Sequence, residues 1–177
     1  MKKIFLVIAC FFIASTLLHA QVKFDALTLT PQFPKAGQTV TFKYNKNLSS
    51  LIDAKKIDIV VYLLDVGEYK VVEPKILQTG TSFSGSFKLD DKTKCVAFSF
   101  SSGKEKDING SKGYFVPVYN SKNEPVTEYY GTIYNTLRFY GEDYFGVSFN
   151  GQKIFNVFEE AVKQHPELKN DPGFFAI

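Results

Sequence analysis

The sequence predicts a mainly β protein, an antiparallel β-sandwich of about seven strands followed by a short C-terminal helical segment. Between residues 21 and 122, apolar and polar residues alternate at period two, and Gly, Pro, Asn or Asp residues separate the stretches. After residue 123, the apolar residues recur at helical spacing. The 177 residues, 45% of them hydrophobic, are enough for one domain with its own core.

The first twenty residues, MKKIFLVIACFFIASTLLHA, are predicted to be a secretory signal peptide. Lys2 and Lys3 precede an apolar run over residues 4–18, and Ala20 supplies a small residue before the cut. The run is short for a bilayer, which takes about 20 residues, so cleavage is favoured over the alternative of an uncleaved anchor. Cys10 ends a lipoprotein-like box, but it comes too early in the run. We expect an exported protein, periplasmic, extracellular or on the cell surface.

The charge and the cysteine content argue against a nucleic-acid-binding protein and against a disulfide-stabilised one. Removing Lys2 and Lys3 from 21 basic residues leaves 19 against 18 acidic ones, a charge near +1. No run of five basic residues exists, which argues against nucleic-acid binding. Cys95 is the only cysteine outside the signal peptide, so we expect no intramolecular disulfide.

Each predicted strand has a turn signal beside it. The first stops at Pro31, and the second alternates Val40 and Phe42 with polar neighbours. The third is a long β-branched run, and Pro74 in the fourth marks an edge or a bulge. The strands are predicted over residues 24–31, 34–44, 56–65, 69–78, 81–90, 95–102 and 113–120.

The sixth predicted strand shows two faces most clearly. Val96, Phe98 and Phe100 share one face, whereas Cys95 and Ala97 share the other. Seven such strands in about 100 residues favour a sandwich of immunoglobulin or fibronectin type III kind, with an open barrel as the alternative. The antibody core of Cys, Trp and Cys is absent, since the chain has no Trp.

Residues 123–177 are predicted to be a helical connector or appendage. Val126, Ile133 and Leu137 fall at helical spacing, and Gly141 stands where a C-cap is expected. A second helix is predicted to begin at Asn150, the N-cap. Lys163 and His165 lie in its last turn, and Pro166 stops it.

The charged loop before the last strand has no ligand-binding spacing. No phosphate-loop pattern follows Gly103, and an EF-hand loop starting at Asp107 would need Glu where Val118 stands. The loop is predicted to be a solvated hairpin connection in which Asn109 and Gly110 supply positive φ angles.

Sets of residues that carry catalysis or bind metals are missing from the sequence. A pair of Cys95 with His165 would have to come from distant segments, and an inert strand thiol is favoured. One Cys and one His are too few for a zinc site. The acidic pairs at 90–91, 142–143 and 159–160 are interpreted as solvated turns and faces. We expect no enzyme activity, no cofactor and no metal.

Aromatic residues are concentrated between residues 129 and 149. Part of this cluster is expected to pack the helix onto the sandwich. Tyr129, Tyr140 and Tyr144 are predicted to form an interaction surface for a glycan, a peptide or a protein partner.

Three stretches carry a family resemblance: LTLTPQFPKAGQTVTFKYN, IVVYLLDVGEYKV and FSGSFKLDDKTKCVAFSFSSGKEKDINGSKGYFVPVYNSKNEPV, with a later helix ending AVKQHPEL. They resemble the N-terminal region of exported bacterial thioredoxin-like proteins of TlpA type. The resemblance implies an immunoglobulin-like sandwich and a helical connector before a thioredoxin domain. The redox C-x-x-C pair of that family is absent here, so no redox residue is carried over.

Three functional hypotheses follow. The first is a non-catalytic exported module that binds or positions a partner. The second is the N-terminal portion of a thioredoxin-like thiol–disulfide oxidoreductase, with the adjacent domain as partner. The third is a glycan- or peptide-binding module that uses surface tyrosines.

Overall fold

The computed structural model describes residues 24–172 and residue 174, so the predicted signal peptide lies outside the described residues. In the described part, nine strands form two antiparallel sheets and two α-helices follow. The predicted mainly β sandwich with a C-terminal helical segment is confirmed. The finer immunoglobulin or fibronectin type III assignment stays a prediction.

The two sheets differ in how their edges are built. In one sheet the strand order is β1-β2-β6-β5, and in the other β4-β3-β7. On the free side of β7, β9 pairs with its first half and β8 with its second half. The strands are β1 (Leu27–Thr30), β2 (Thr39–Asn45), β3 (Asp58–Leu64), β4 (Tyr69–Val72), β5 (Leu77–Thr79), β6 (Ser82–Lys88), β7 (Cys95–Ser102), β8 (Glu105–Asp107) and β9 (Tyr114–Pro117).

The count of nine strands exceeds the predicted seven at two places. The single strand predicted over residues 69–78 is two strands, β4 and β5, which belong to different sheets. Pro74 lies between them, and its missing N–H cannot continue a ladder. The other additional strand, β8, lies inside the charged loop.

The main core lies between the two sheets. Val40, Phe42 and Tyr44 on β2 are fully buried, and the residues between them are exposed. From the other sheet, the rings of Phe98 and Phe100 meet them: the centroid distances are 5.3 Å for Phe42–Phe98 and 3.8 Å for Tyr44–Phe100. These contacts hold the sheets face to face.

The outer face of the second sheet is covered by the helix α1 (Glu128–Phe145). Cys95 and Ala97 of β7 are both fully buried there, with Phe115 of β9 and Phe145 of α1 in the same cluster. The predicted alternation along β7 is therefore confirmed, with both faces buried. The molecule has three layers: sheet, sheet and helix.

The end of α1 differs from the prediction. Gly141 lies inside the helix, so its predicted role as C-cap is wrong; a Cβ there would approach the Val147 carbonyl oxygen to 2.6 Å. The C-cap is Gly146, with φ +67°. Because L side chains rarely adopt that conformation, glycine is favoured at this position.

A second helix, α2 (Gly151–Gln164), packs against α1. The predicted N-cap is confirmed, because the Asn150 side chain accepts a hydrogen bond from the Lys153 N–H at 3.0 Å. Pro166 begins a 3-10 turn directly after the helix. Among the described residues, no helix has the length and apolar character needed to cross a membrane.

The charged loop is only partly as predicted. Asn109 and Gly110 have φ angles of 48° and 60°, as expected, but the hairpin reverses earlier, at Gly103. Asp107 is buried at 7% exposure, whereas the whole loop was expected to be solvated. Its carboxyl group accepts hydrogen bonds from the buried Tyr44 and Tyr114 hydroxyls, which draws the residue inward.

Candidate binding cleft

The three tyrosines that were predicted to form one interaction surface lie at two different places on α1. Tyr129 is 9% exposed, because the first turn of α1 faces the sheet, and burial raises its pKa well above the ordinary value. It is not among the residues that line the cleft of the other two tyrosines. Tyr140 and Tyr144, in the last turns of α1, both line one cleft, and Tyr140 is 39% exposed.

This cleft lies between the C-terminal half of α1 and the turn that joins β3 to β4, and its volume is about 330 Å³. We call it the tyrosine cleft. Its lining residues are Tyr62, Leu64, Asp65, Gly67, Glu68, Tyr69, Asn135, Thr136, Phe139, Tyr140, Tyr144 and Phe145.

Three of its tyrosine rings pack against one another, two pairs edge to face and the Tyr69–Tyr144 pair tilted. The centroid distances are 5.7 Å for Tyr69–Tyr140, 5.8 Å for Tyr69–Tyr144 and 5.7 Å for Tyr140–Tyr144. The hydroxyl oxygens of Tyr69 and Tyr144 are 3.2 Å apart, and this hydrogen bond raises the pKa of Tyr69. The rings therefore hold one another in fixed orientations, which lowers the entropy lost when a ligand stacks on them.

Tyr62 supports this cluster from the sheet. It is 8% exposed, and its ring centroid lies 6.0 Å from that of Tyr69 and 5.8 Å from that of Tyr144. Burial raises its pKa. Because β3 sits in the middle of the sheet, Tyr62 gives the cleft a rigid floor.

The charge of the cleft is one-sided. Within the described part of the chain, the charged side chains that line it, Asp65 and Glu68, are both acidic. Aromatic ring faces attract cations as well. Asn135 and Thr136 add hydrogen-bonding groups. The arrangement suits a ligand that brings a positive charge together with an apolar stem.

Tyr62 and Tyr69 are the residues that sequence reasoning missed. Both were assigned only to strands, and they meet α1 through pairing between β3 and β4. One signal was present in the sequence: Tyr69 and Val71 alternate with Lys70, so an aromatic and an apolar residue share one face of β4. In the structure both are exposed, at 43% and 45%.

The residues tested for catalysis remain apart from the cleft. Cys95 is fully buried and burial raises the pKa of its thiol, so no nucleophilic thiolate is present there. His165 Nδ1 lies 3.4 Å from Glu167 Oε1, beyond the end of α2. In residues 24–172 and 174, no group of three or more metal-binding side chains occurs.

Comparisons of the chain with models of known protein families, with curated proteins and with solved structures find no match.

Proposed function

We propose that the chain is an exported, non-catalytic binding module and that the tyrosine cleft is its ligand site. One observation carries the proposal: residues from β3, β4 and α1, distant in sequence, meet as a pre-packed aromatic wall around an open cleft. Clefts of roughly 300–1,000 Å³ with aromatic walls and a few polar groups are typical ligand sites.

The ligand class that fits best is a segment of a protein partner that presents a Lys or Arg side chain. Its apolar stem would lie against Tyr69 and Tyr140, and its cationic head would face Asp65 and Glu68. Neutral glycans stack on tyrosine rings too, and carboxyl groups accept hydrogen bonds from sugar hydroxyls, but only a cationic side chain also gains charge attraction from Asp65 and Glu68.

A displayed library of random hexapeptides tests this proposal. Peptides selected on the purified protein are expected to be enriched in Lys or Arg beside an apolar residue. Tyr140→Ala is expected to weaken their binding about tenfold, since removing a stacked aromatic contact costs roughly 1–2 kcal/mol. Phe155→Ala is the matched control, because Phe155 is a 57% exposed aromatic residue of α2 outside the cleft.

Selected peptides that bind the Tyr140→Ala variant as tightly as the unchanged protein would contradict the proposed site. Failure to select any peptide, combined with Tyr140-dependent binding on a glycan array, would replace the peptide by a sugar as ligand.

The resemblance to TlpA-type proteins supports a second candidate, in which this chain is the N-terminal portion of a thioredoxin-like oxidoreductase and the partner is the adjacent domain. The succession of a sandwich and helices is the order that the resemblance implies. The intact mass of the native secreted product distinguishes the two: a mass much larger than that of residues 21–177 favours the longer protein.

A further inference from the structure

A second, larger groove lies between α1, α2 and the loop that joins β8 to β9, and its volume is about 870 Å³. Its walls are mainly apolar. Ile133 and Leu137 of α1, Phe115 of β9, and Ile154 and Val157 of α2 belong to them. The groove shares no lining residue with the tyrosine cleft.

The charge at this groove is opposite to that of the tyrosine cleft. Its charged lining side chains in the described part of the chain are Lys112 and Lys153, and both are exposed. Neither forms an ion pair with any other described residue. The N-terminus of α2 lies there too, with Asn150 in the lining and no acidic residue in the first turn. The helix dipole therefore adds to the positive potential.

We propose that this groove binds a free long-chain carboxylate, with the hydrocarbon chain against α1 and α2 and the carboxylate at Lys112 and Lys153. The apolar walls exclude water from the chain, and each methylene buried contributes about 0.8 kcal/mol. The two lysines then select an anionic head over a cationic one.

Calorimetric titration with laurate, below the concentration at which it forms micelles, tests the proposal. Laurate is expected to bind with one-to-one stoichiometry. Dodecyltrimethylammonium, whose alkyl chain is one methylene longer and whose head is positive, is expected to bind at least about tenfold more weakly, since it loses the ion pairs and gains repulsion.

Two pairs of variants locate the site. Val157→Asp places a like charge in the apolar wall and is expected to weaken laurate binding about tenfold or more. The control Phe155→Asp lies on the same helix outside the groove and is expected to stay within about twofold. Lys112→Gln combined with Lys153→Gln is expected to weaken binding about fivefold, whereas Lys104→Gln, on the β7–β8 turn, is expected to have no effect.

Absence of laurate binding would overturn the proposal, as would equal binding of the cationic detergent or unchanged laurate binding in the Val157→Asp variant. None of these results would bear on the tyrosine cleft, because the variants leave its lining residues untouched.

Discussion

Replacing Asp107 by Ala is expected to destabilise the sandwich strongly. The Asp107 carboxyl group accepts hydrogen bonds from the Tyr44 hydroxyl at 2.9 Å and the Tyr114 hydroxyl at 2.5 Å. It also accepts one from the Asn109 N–H at 3.1 Å. Burial raises the pKa of both tyrosines well above the ordinary value, so their hydroxyls stay protonated and need an acceptor.

The size of the effect follows from the groups left unsatisfied. Each buried hydroxyl that loses its acceptor costs about 1–3 kcal/mol. With two hydroxyls orphaned, and some water entering the vacated space, Asp107→Ala is expected to lower the free energy of unfolding by about 3–4 kcal/mol. Tyr114→Phe removes one hydroxyl together with its need for an acceptor, so its cost is expected to be only about 1–2 kcal/mol.

Urea unfolding followed by far-UV circular dichroism measures these values. A further variant isolates the cause: in a background with Tyr44→Phe and Tyr114→Phe, no buried tyrosine hydroxyl is orphaned. Asp107→Ala is then expected to cost only about 1 kcal/mol, from the part-buried Ser50 hydroxyl and the Asn109 N–H that still lose their acceptor. A cost below about 1 kcal/mol in the unchanged background, or an equal cost in both backgrounds, would refute the reasoning.

Three other predictions concern single positions. Gly146→Ala, at a φ of +67° and with a Cβ 2.9 Å from the Ile108 Cγ2, is expected to lower the free energy of unfolding by about 1–2 kcal/mol. Gly151→Ala places its Cβ at an ordinary van der Waals distance of 3.6 Å from the Phe149 ring and is expected to leave the free energy of unfolding unchanged within about 0.5 kcal/mol. The Cys95 thiol is expected to react with iodoacetamide only in denaturant, because it is fully buried and its pKa is raised; rapid labelling of the native protein would contradict its position. Hydrogen bonds from the Thr93 hydroxyl and N–H lower the pKa of Asp90, so Thr93→Val is expected to raise that pKa toward its ordinary value in a carbon-detected NMR titration. A carboxyl group whose pKa is lower in the folded state stabilises that state at pH values above the unfolded-state pKa. The part of the variant's loss of stability that is due to Asp90 is therefore expected to be constant at neutral pH and to disappear as the pH falls through the folded-state pKa. An Asp90 pKa that is unchanged in Thr93→Val would contradict this.

The local sequence pattern was sufficient to predict which residues of a single strand share a face. The alternation of Val96, Phe98 and Phe100 with Cys95 and Ala97 is a property of consecutive residues, and the structure buries each set on its expected side. The Asn150 cap and the stop at Pro166 are local in the same way.

Features that depend on distant residues were not predicted. Pro74 was recognised as an interruption, but only the pairing partners of β4 and β5 show that the chain changes sheets there. Asp107 looked like one more charge in a solvated loop until Tyr44 and Tyr114 approached it from two other strands.

The residues of the tyrosine cleft likewise fall into those that the local sequence indicates and those that only the tertiary structure brings in. Tyr140 and Tyr144 stand out in the sequence because they belong to a dense aromatic segment. Tyr62 and Tyr69 complete the cleft only because β3 and β4 pair beside α1. Tyr129 was grouped with Tyr140 and Tyr144 because helical spacing alone does not show which face of α1 meets the sheet.

The most direct test of the proposed site is an NMR titration of the protein with ¹³C-labelled tyrosine rings, using a hexapeptide selected on the library. We predict that the ring signals of Tyr69, Tyr140 and Tyr144 shift as the peptide binds, while those of Tyr44 and Tyr114, in the core between the sheets, stay in place. Binding of the peptide with no shift at Tyr69, Tyr140 and Tyr144 would contradict the assignment of the tyrosine cleft as the ligand site.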